Sequence, residues 1–168
     1  MSRHTPFSPS RRAFLRGGRS AARPLRPPWA LAETDFVDAC TGCDACVAAC
    51  PEQVLRRGEA GHPVFDPSLG ACVFCRRCVE ACESGALADD AAGPWTIRAE
   101  VASSCLTLNG VTCFSCRDAC GEAAIRFRPA LGGARAELDA SRCTGCGACI
   151  GVCPVAAIAL SAQEARDG

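Results

Sequence analysis

Apolar positions in this chain fall into short clusters separated by glycine, proline and charge. Gln53-Val54-Leu55 and Pro63-Val64-Phe65 read as a strand pair that turns at Gly58 to Gly61. Trp95 to Val101, Ala124 to Phe127 and Ala157 to Leu160 are further strand candidates. Asp89-Asp90-Ala91-Ala92-Gly93-Pro94 reads as a loop between them. No stretch approaches the length of a transmembrane helix, so the chain is not membrane-spanning.

Composition changes the picture. Hydrophobic residues make up 49%, yet much of that is Ala and Cys, with seven Phe, two Trp and no Tyr. Small side chains bury little apolar area, and a chain of 168 residues built on them needs covalent or metal staples. The sixteen Cys are the obvious ones.

Charge is unevenly placed although it sums to zero. Arg3, Arg11, Arg12, Arg16, Arg19, Arg23 and Arg26 precede the first acidic residue, Glu33. The remainder is acidic, with eleven Arg against eighteen Asp and Glu. A basic, largely flexible N-terminal tail, residues 1–35, thus leads an acidic body, which argues against nucleic acid as a partner. The tail reads either as a solvated arm or as an arm that docks a partner. Ser10-Arg11-Arg12-Ala13-Phe14-Leu15-Arg16 looks like a twin-arginine export motif, and Ala30-Leu31-Ala32 like a cleavage site. The apolar segment required between them is missing, interrupted by Gly17, Gly18, Arg19, Arg23, Pro24 and Arg26. The expected location is the cytoplasm.

The cysteines form four groups of four. They are Cys40, Cys43, Cys46 and Cys50; Cys72, Cys75, Cys78 and Cys82; Cys105, Cys113, Cys116 and Cys120; and Cys143, Cys146, Cys149 and Cys153. Groups one, two and four share the spacing C-x2-C-x2-C-x3-C of bacterial cubane ferredoxins, and Pro51 and Pro154 close groups one and four. Three thiolates in a short loop wrap one cube. The fourth opens a short helix that points away, toward a second cube. Residues between ligands must be small, because backbone N–H groups turn toward the sulfides. Thr41-Gly42, Asp44-Ala45, Thr144-Gly145 and Gly147-Ala148 fit that need. Zinc wants two well-separated pairs, and disulfides want an oxidising compartment; neither suits this spacing. In group three Cys105 stands eight positions before Cys113. Either a longer loop brings it to a fourth [4Fe-4S] cluster, or it is a free thiol and only three clusters form.

The second Cys of each group recurs at steps of 32, 38 and 33 residues, so the chain is an internal repeat. The expected fold is α+β, with tandem bacterial-type two-[4Fe-4S] ferredoxin modules, small strands and short helices around the clusters. The modules would span residues 36–100 and 101–163, ahead of a C-terminal tail of 164–168. Sequential pairing of repeats would put Cys40, Cys43 and Cys46 with Cys82, and Cys72, Cys75 and Cys78 with Cys50, with the same exchange in the second module. Other pairings of repeats remain open. Phe65, Phe74, Phe114 and Phe127 are expected to cover clusters or fill the core. His4 and His62 read as solvated, and Gly17-Gly18 and Gly132-Gly133 as turns. No Ser-His-Asp set, phosphate loop or paired catalytic carboxylate is evident, so the chain does not read as an enzyme.

Several elements carry a resemblance across roughly residues 8 to 160. They include Ser10-Arg11-Arg12, Arg26-Pro27-Pro28-Trp29, Cys43-Asp44-Ala45-Cys46, Cys72-Val73-Phe74-Cys75, Trp95 ahead of the irregular third group, Ile125-Arg126-Phe127-Arg128-Pro129 and Cys153-Pro154-Val155. Together they resemble the NapF-type ferredoxins, accessory proteins of the periplasmic nitrate reductase system. The resemblance implies a cytoplasmic protein that meets the precursor of the nitrate reductase catalytic subunit before export. It would help mature that subunit by supplying electrons or assisting iron–sulfur assembly. The competing reading is a general single-electron carrier to an oxidoreductase. Glu83 and Gly121 stand where the closing Pro would be in groups two and three.

Overall fold

A computed structural model describes residues 24–89, 93–130 and 133–162. Its helices are single turns or little more. They are α1 (Glu33–Ala39), α2 (Ala45–Ala49), α3 (Arg77–Glu80), α4 (Ser115–Asp118) and α5 (Ala148–Gly151). Among the described residues no helix is long and apolar enough to cross a membrane.

Each ligand-loop helix carries the third Cys of its group and stops short of the fourth. The sequence expectation had the fourth Cys opening the helix; it follows the helix instead. The cause is local. Asp44, Arg76 and Gly147, each directly after a second Cys, hold φ of 61°, 68° and 88° and start the turn. After that turn the backbone leaves the helix, as at Cys50, which is extended at φ −75°, ψ 111°.

A second local device repeats four times. The residue three after each fourth Cys is left-handed: Gln53, Gly85, Ala123 and Ala156 at φ of 53°, 73°, 48° and 48°. Its N–H donates to the carbonyl of that fourth Cys in every repeat. The next two residues are then driven inward: Val54-Leu55, Ala86-Leu87, Ala124-Ile125 and Ala157-Ile158 are all buried. These pairs seed the cores, with the Val54 and Ala86 pairs in one cluster and Ile125 and Ile158 in the other.

The strands follow directly. β1 (Leu55–Arg57) and β2 (Pro63–Phe65) form an antiparallel hairpin with Leu55 opposite Phe65, close to the expected pair. β4 (Ile125–Ala130) and β5 (Gly133–Leu138) form the equivalent hairpin with Ile125 opposite Leu138. β3 (Ile97–Val101) pairs antiparallel with β6 (Ile158–Ala162), Val101 opposite Ile158. A module boundary between residues 100 and 101 would fall inside β3, whose ladder partner among the described residues is β6; the pairing puts 97–101 with the second half.

The first half closes the same way with chain drawn from the expected tail. Ala30 bridges Leu87 antiparallel, and Leu31 N–H donates to the Ala86 carbonyl as Ala102 N–H does to that of Ala157. Ala30 therefore corresponds to Val101. Pro27 and Pro28 are fully buried, Trp29 is 8% exposed, and Arg26 stacks on Phe36 at 4.8 Å while pairing with Glu33. Residues 24–35 are thus structural, against the expectation of a flexible arm to residue 35. Residues 1–23, with Arg11, Arg12, His4 and Gly17-Gly18, lie outside the described residues, as do 90–92 of the expected loop, Gly132 and 163–168. His62 is not simply solvated: its ring packs edge-on to Phe36 at 6.1 Å, and its Nδ1 is buried.

The two halves pack against each other. Trp95 tilts over Phe65 at 5.0 Å and meets Phe74 edge-on at 5.6 Å, while its Nε1 donates to the Thr144 carbonyl at 2.7 Å.

Candidate metal centre

Sixteen free thiols are arranged in four sets, and each set mixes two groups. Cys50 joins Cys72, Cys75 and Cys78 around a cavity also lined by Pro28, Trp29, Val54 and Phe74. Cys120 joins Cys143, Cys146 and Cys149 around a second, lined by Ala99, Ile125 and Leu160. Cys153 joins Cys105, Cys113 and Cys116 around a third, lined by Phe127, Val155 and Ile158. Around the thiol of Cys46 stand Cys82, Cys40 and Cys43. This is the exchange expected for sequential pairing of repeats, and Cys105 is inside its ring despite the irregular spacing. The third cavity, formed by the irregular group, is lined by four thiols just as the two formed by regular groups are.

Local structure places these side chains. The third Cys of every group, on its helix, is buried: Cys46, Cys78, Cys116 and Cys149. The fourth is followed by the left-handed turn, after which, in groups two, three and four, an N–H is aimed at its sulfur. Leu87 N–H donates to Cys82 Sγ at 3.4 Å, Ala124 to Cys120 at 3.3 Å and Ala157 to Cys153 at 3.2 Å. Phe74 and Ala99 N–H groups reach the sulfurs of Cys72 and Cys143. In the first loop, Arg57 of β1 donates from Nε to Asp44 at 2.7 Å and also bonds the Gly42 carbonyl.

The donor set suits an iron–sulfur cube. Burial pushes the thiols of Cys46 and Cys72 up to about 11, and those of Cys78 and Cys149 up to about 12. Burial also raises Cys116. At Cys82 burial acts upward too, but the N–H of Leu87, the Ser84 hydroxyl and the N–H groups of Ala86 and Gly85 outweigh it, and the net shift is downward. Bare thiolates crowded into apolar rings are costly. A bound cation offsets that cost and takes the place of the protons. Among the described residues no three His, Cys, Asp or Glu side chains converge on a point fit for one ion. Zinc would draw four thiolates to about 3.8 Å of one another, given Zn–S bonds of about 2.3 Å in a tetrahedron. Rings around a cavity fit a polynuclear centre.

The rings also have an order. Cys46 and Cys78 are neighbouring thiols between the two rings of the first half, and Cys116 and Cys149 are their counterparts in the second. The halves meet at Cys72, whose N–H donates to the Cys146 carbonyl at 2.8 Å.

Sequence reasoning missed the cavity walls Pro28 and Trp29, having placed them in a flexible tail. It also missed the buried pair four and five positions after each fourth Cys. That signal was present: Val-Leu, Ala-Leu, Ala-Ile and Ala-Ile recur at one offset.

Two family models described as 4Fe-4S dicluster domains match residues 39–87 and 111–157. The first spans groups one and two; the second begins after Cys105 and spans the other three cysteines of group three and all of group four. The ferredoxin-type protein NapF of Escherichia coli (strain K12) is 39% identical over 89% of this chain and 92% of the relative. NapF of Haemophilus influenzae is 40% identical over 90% of this chain and 93% of the relative. The methylamine utilization ferredoxin-type protein MauM of Methylorubrum extorquens is 32% identical over 86% and 84%. The cofactors are multiple [4Fe-4S] clusters, and the chain belongs to the NapF family of ferredoxin-type electron-transfer proteins.

Proposed function

We propose that all sixteen cysteines are cluster ligands, in the four sets given above, and that the loaded protein serves the maturation of the periplasmic nitrate reductase catalytic subunit. It acts on the precursor in the cytoplasm before export, supplying single electrons or assisting cluster assembly. The observation that carries the reading is similarity to NapF proteins along nine-tenths of both chains, including the stretch from Arg26 to Trp29. When bound, the clusters supply one-electron redox chemistry. The chain's own part is to hold the thiolates, exclude water with residues such as Trp29 and Phe127, and aim N–H groups at the sulfurs, which raises the potential.

Pro27, Pro28 and Trp29 are buried and Arg26 pairs with Glu33, so this stretch is part of the fold rather than of an arm that docks a partner. A partner-recognising role for the basic arm therefore rests on residues 1–23. One observation favours the general single-electron carrier: a MauM protein, named for methylamine utilization, is 32% identical over 86% of this chain. Anaerobic capture of the nitrate reductase precursor from cytoplasm, with iron and sulfide assayed in the same sample, separates the two readings. Capture of the precursor but not of the exported enzyme is the expected result. Intact, reducible clusters with no capture would favour the general carrier.

A further inference from the structure

The two halves do not merely touch; their ligand loops are built to interlock. Residues directly after the second Cys hold left-handed φ in groups one, two and four, and two of the three carry side chains, Asp44 and Arg76. Backbone conformation therefore does not demand glycine there. Gly147 is bare for another reason. A Cβ on it would stand 2.9 Å from Pro67 Cβ and 3.2 Å from Phe65 Cζ, both in the first half. Gly145 is bare for a reason inside the second half: its counterpart is Phe74, yet a Cβ at 145 would run into the Ile97 carbonyl of β3 and stand 3.0 Å from Trp95 Nε1. Trp95 seals the seam through Phe65, Phe74 and the Thr144 carbonyl. At its centre Cys72 N–H donates to Cys146 O at 2.8 Å.

We propose that the Cys72–Cys146 contact, held closed by Gly147 and Trp95, is an electron-transfer junction that makes the four centres one conduit. Their order is the Cys40 set, the Cys72 set, the Cys143 set and the Cys105 set. The inference rests on the ligand assignment proposed above. The transfer balances simply: a low-potential one-electron reductant loads the chain, the centre on Cys72 loses one electron, and the centre on Cys146 gains it. No proton moves and no covalent bond changes. The hydrogen bond places both ligand residues on one bonded route, so no step through solvent is needed.

The test uses the full chain with its clusters, fully reduced by dithionite, and reads spin–spin coupling between centres by electron paramagnetic resonance. The wild type is expected to show coupling across all four centres. Gly147→Asp, which installs the residue of the Asp44 counterpart, is expected to keep its iron and sulfide but lose the coupling between halves, leaving two separate pairs. Trp95→Leu is expected to weaken that coupling in the same direction, and it decides the matter should Gly147→Asp lose iron. Wild-type protein that already behaves as two isolated pairs would overturn the junction, as would variants with full iron and unchanged coupling. A shortfall from about sixteen iron atoms in the wild type would fail the ligand assignment instead, and iron analysis alone reads that.

Discussion

Ala123 and Ala156 sit at φ of 48° where the second repeat has Gly85 at 73°. An L-residue in that region carries roughly 1–2 kcal/mol of strain that glycine avoids. The turn in all four repeats sends the next two residues into the core, and in three of them an N–H that follows it is aimed at the sulfur of the fourth Cys. Nothing lies within 4 Å of a Cβ at Gly85, whereas one at Gly145 meets the β3 backbone. Gly85→Ala should therefore lower stability by about 1 kcal/mol and leave iron content unchanged, since only backbone conformation is altered. Gly145→Ala should lose iron from the Cys143 set. Urea midpoints with iron assays check both. Asp66 and Asp139 show residue-scale repetition of another kind. Each accepts from the N–H and hydroxyl of a Ser two positions on, ahead of groups two and four. The Ser68 hydroxyl, then Arg56, hold the Asp66 carboxyl below its ordinary value. A depressed folded-state value means that its contribution is present above about pH 4 and lost as pH falls through that lower value.

At the scale of elements, the first half is completed by chain that the sequence gives no strand pattern for. Pro24, Pro27 and Pro28 remove ladder donors, so only Ala30 registers as a bridge to Leu87. The burial of Trp29 against the Cys50–Cys72 cavity is nevertheless large, and Trp29→Ala should destabilise by about 3–5 kcal/mol. Deleting residues 1–23 should leave four clusters, and deleting 1–31 should strip the Cys72 set first; iron content and thermal unfolding distinguish them. The third group is irregular for a reason visible at this scale. Between the bridging strand and the second Cys the loops are nearly equal, 30 to 43 in the first half and 101 to 113 in the second. In the first half a helix, α1, precedes Cys40. In the second a single 3₁₀ turn, Thr107–Asn109, follows Cys105. The helical insert has changed sides of the first ligand, and the Cys stays in its ring. Cys105→Ser is expected to remove about a quarter of the iron.

For the whole molecule, the cores are two small clusters whose members include the third cysteine of each group. Such cores cannot hold the chain alone, so iron binding and folding are one event. Stripping iron with a chelator should abolish the near-ultraviolet circular dichroism of Trp29 and Trp95 together with the visible absorption. Cys46→Ser should deplete the first half more than the second, because the thiols around it, Cys82, Cys40 and Cys43, all belong to the first half.

Cysteine spacing determined the cofactor class and the four groups, because cube geometry leaves few ways to space four thiolates in a loop; the apolar clusters between the groups added the short strands, and elements outside the spacing, such as Arg26-Pro27-Pro28-Trp29 and Phe127-Arg128-Pro129, carried the resemblance to the family. Exchange of the fourth ligand was legible too, as one of several pairings. Three things were decided only by the tertiary structure. Trp29 closes the first module because apolar burial outweighs a basic, proline-rich composition that reads as tail. Strand β3 belongs with β6 because antiparallel pairing joins residues about sixty apart, beyond any local pattern. The halves dock through Gly147 and Trp95 because steric exclusion between loops distant in sequence leaves no trace in spacing. A glycine kept bare by a neighbour looks, in sequence, like one kept bare by its own turn.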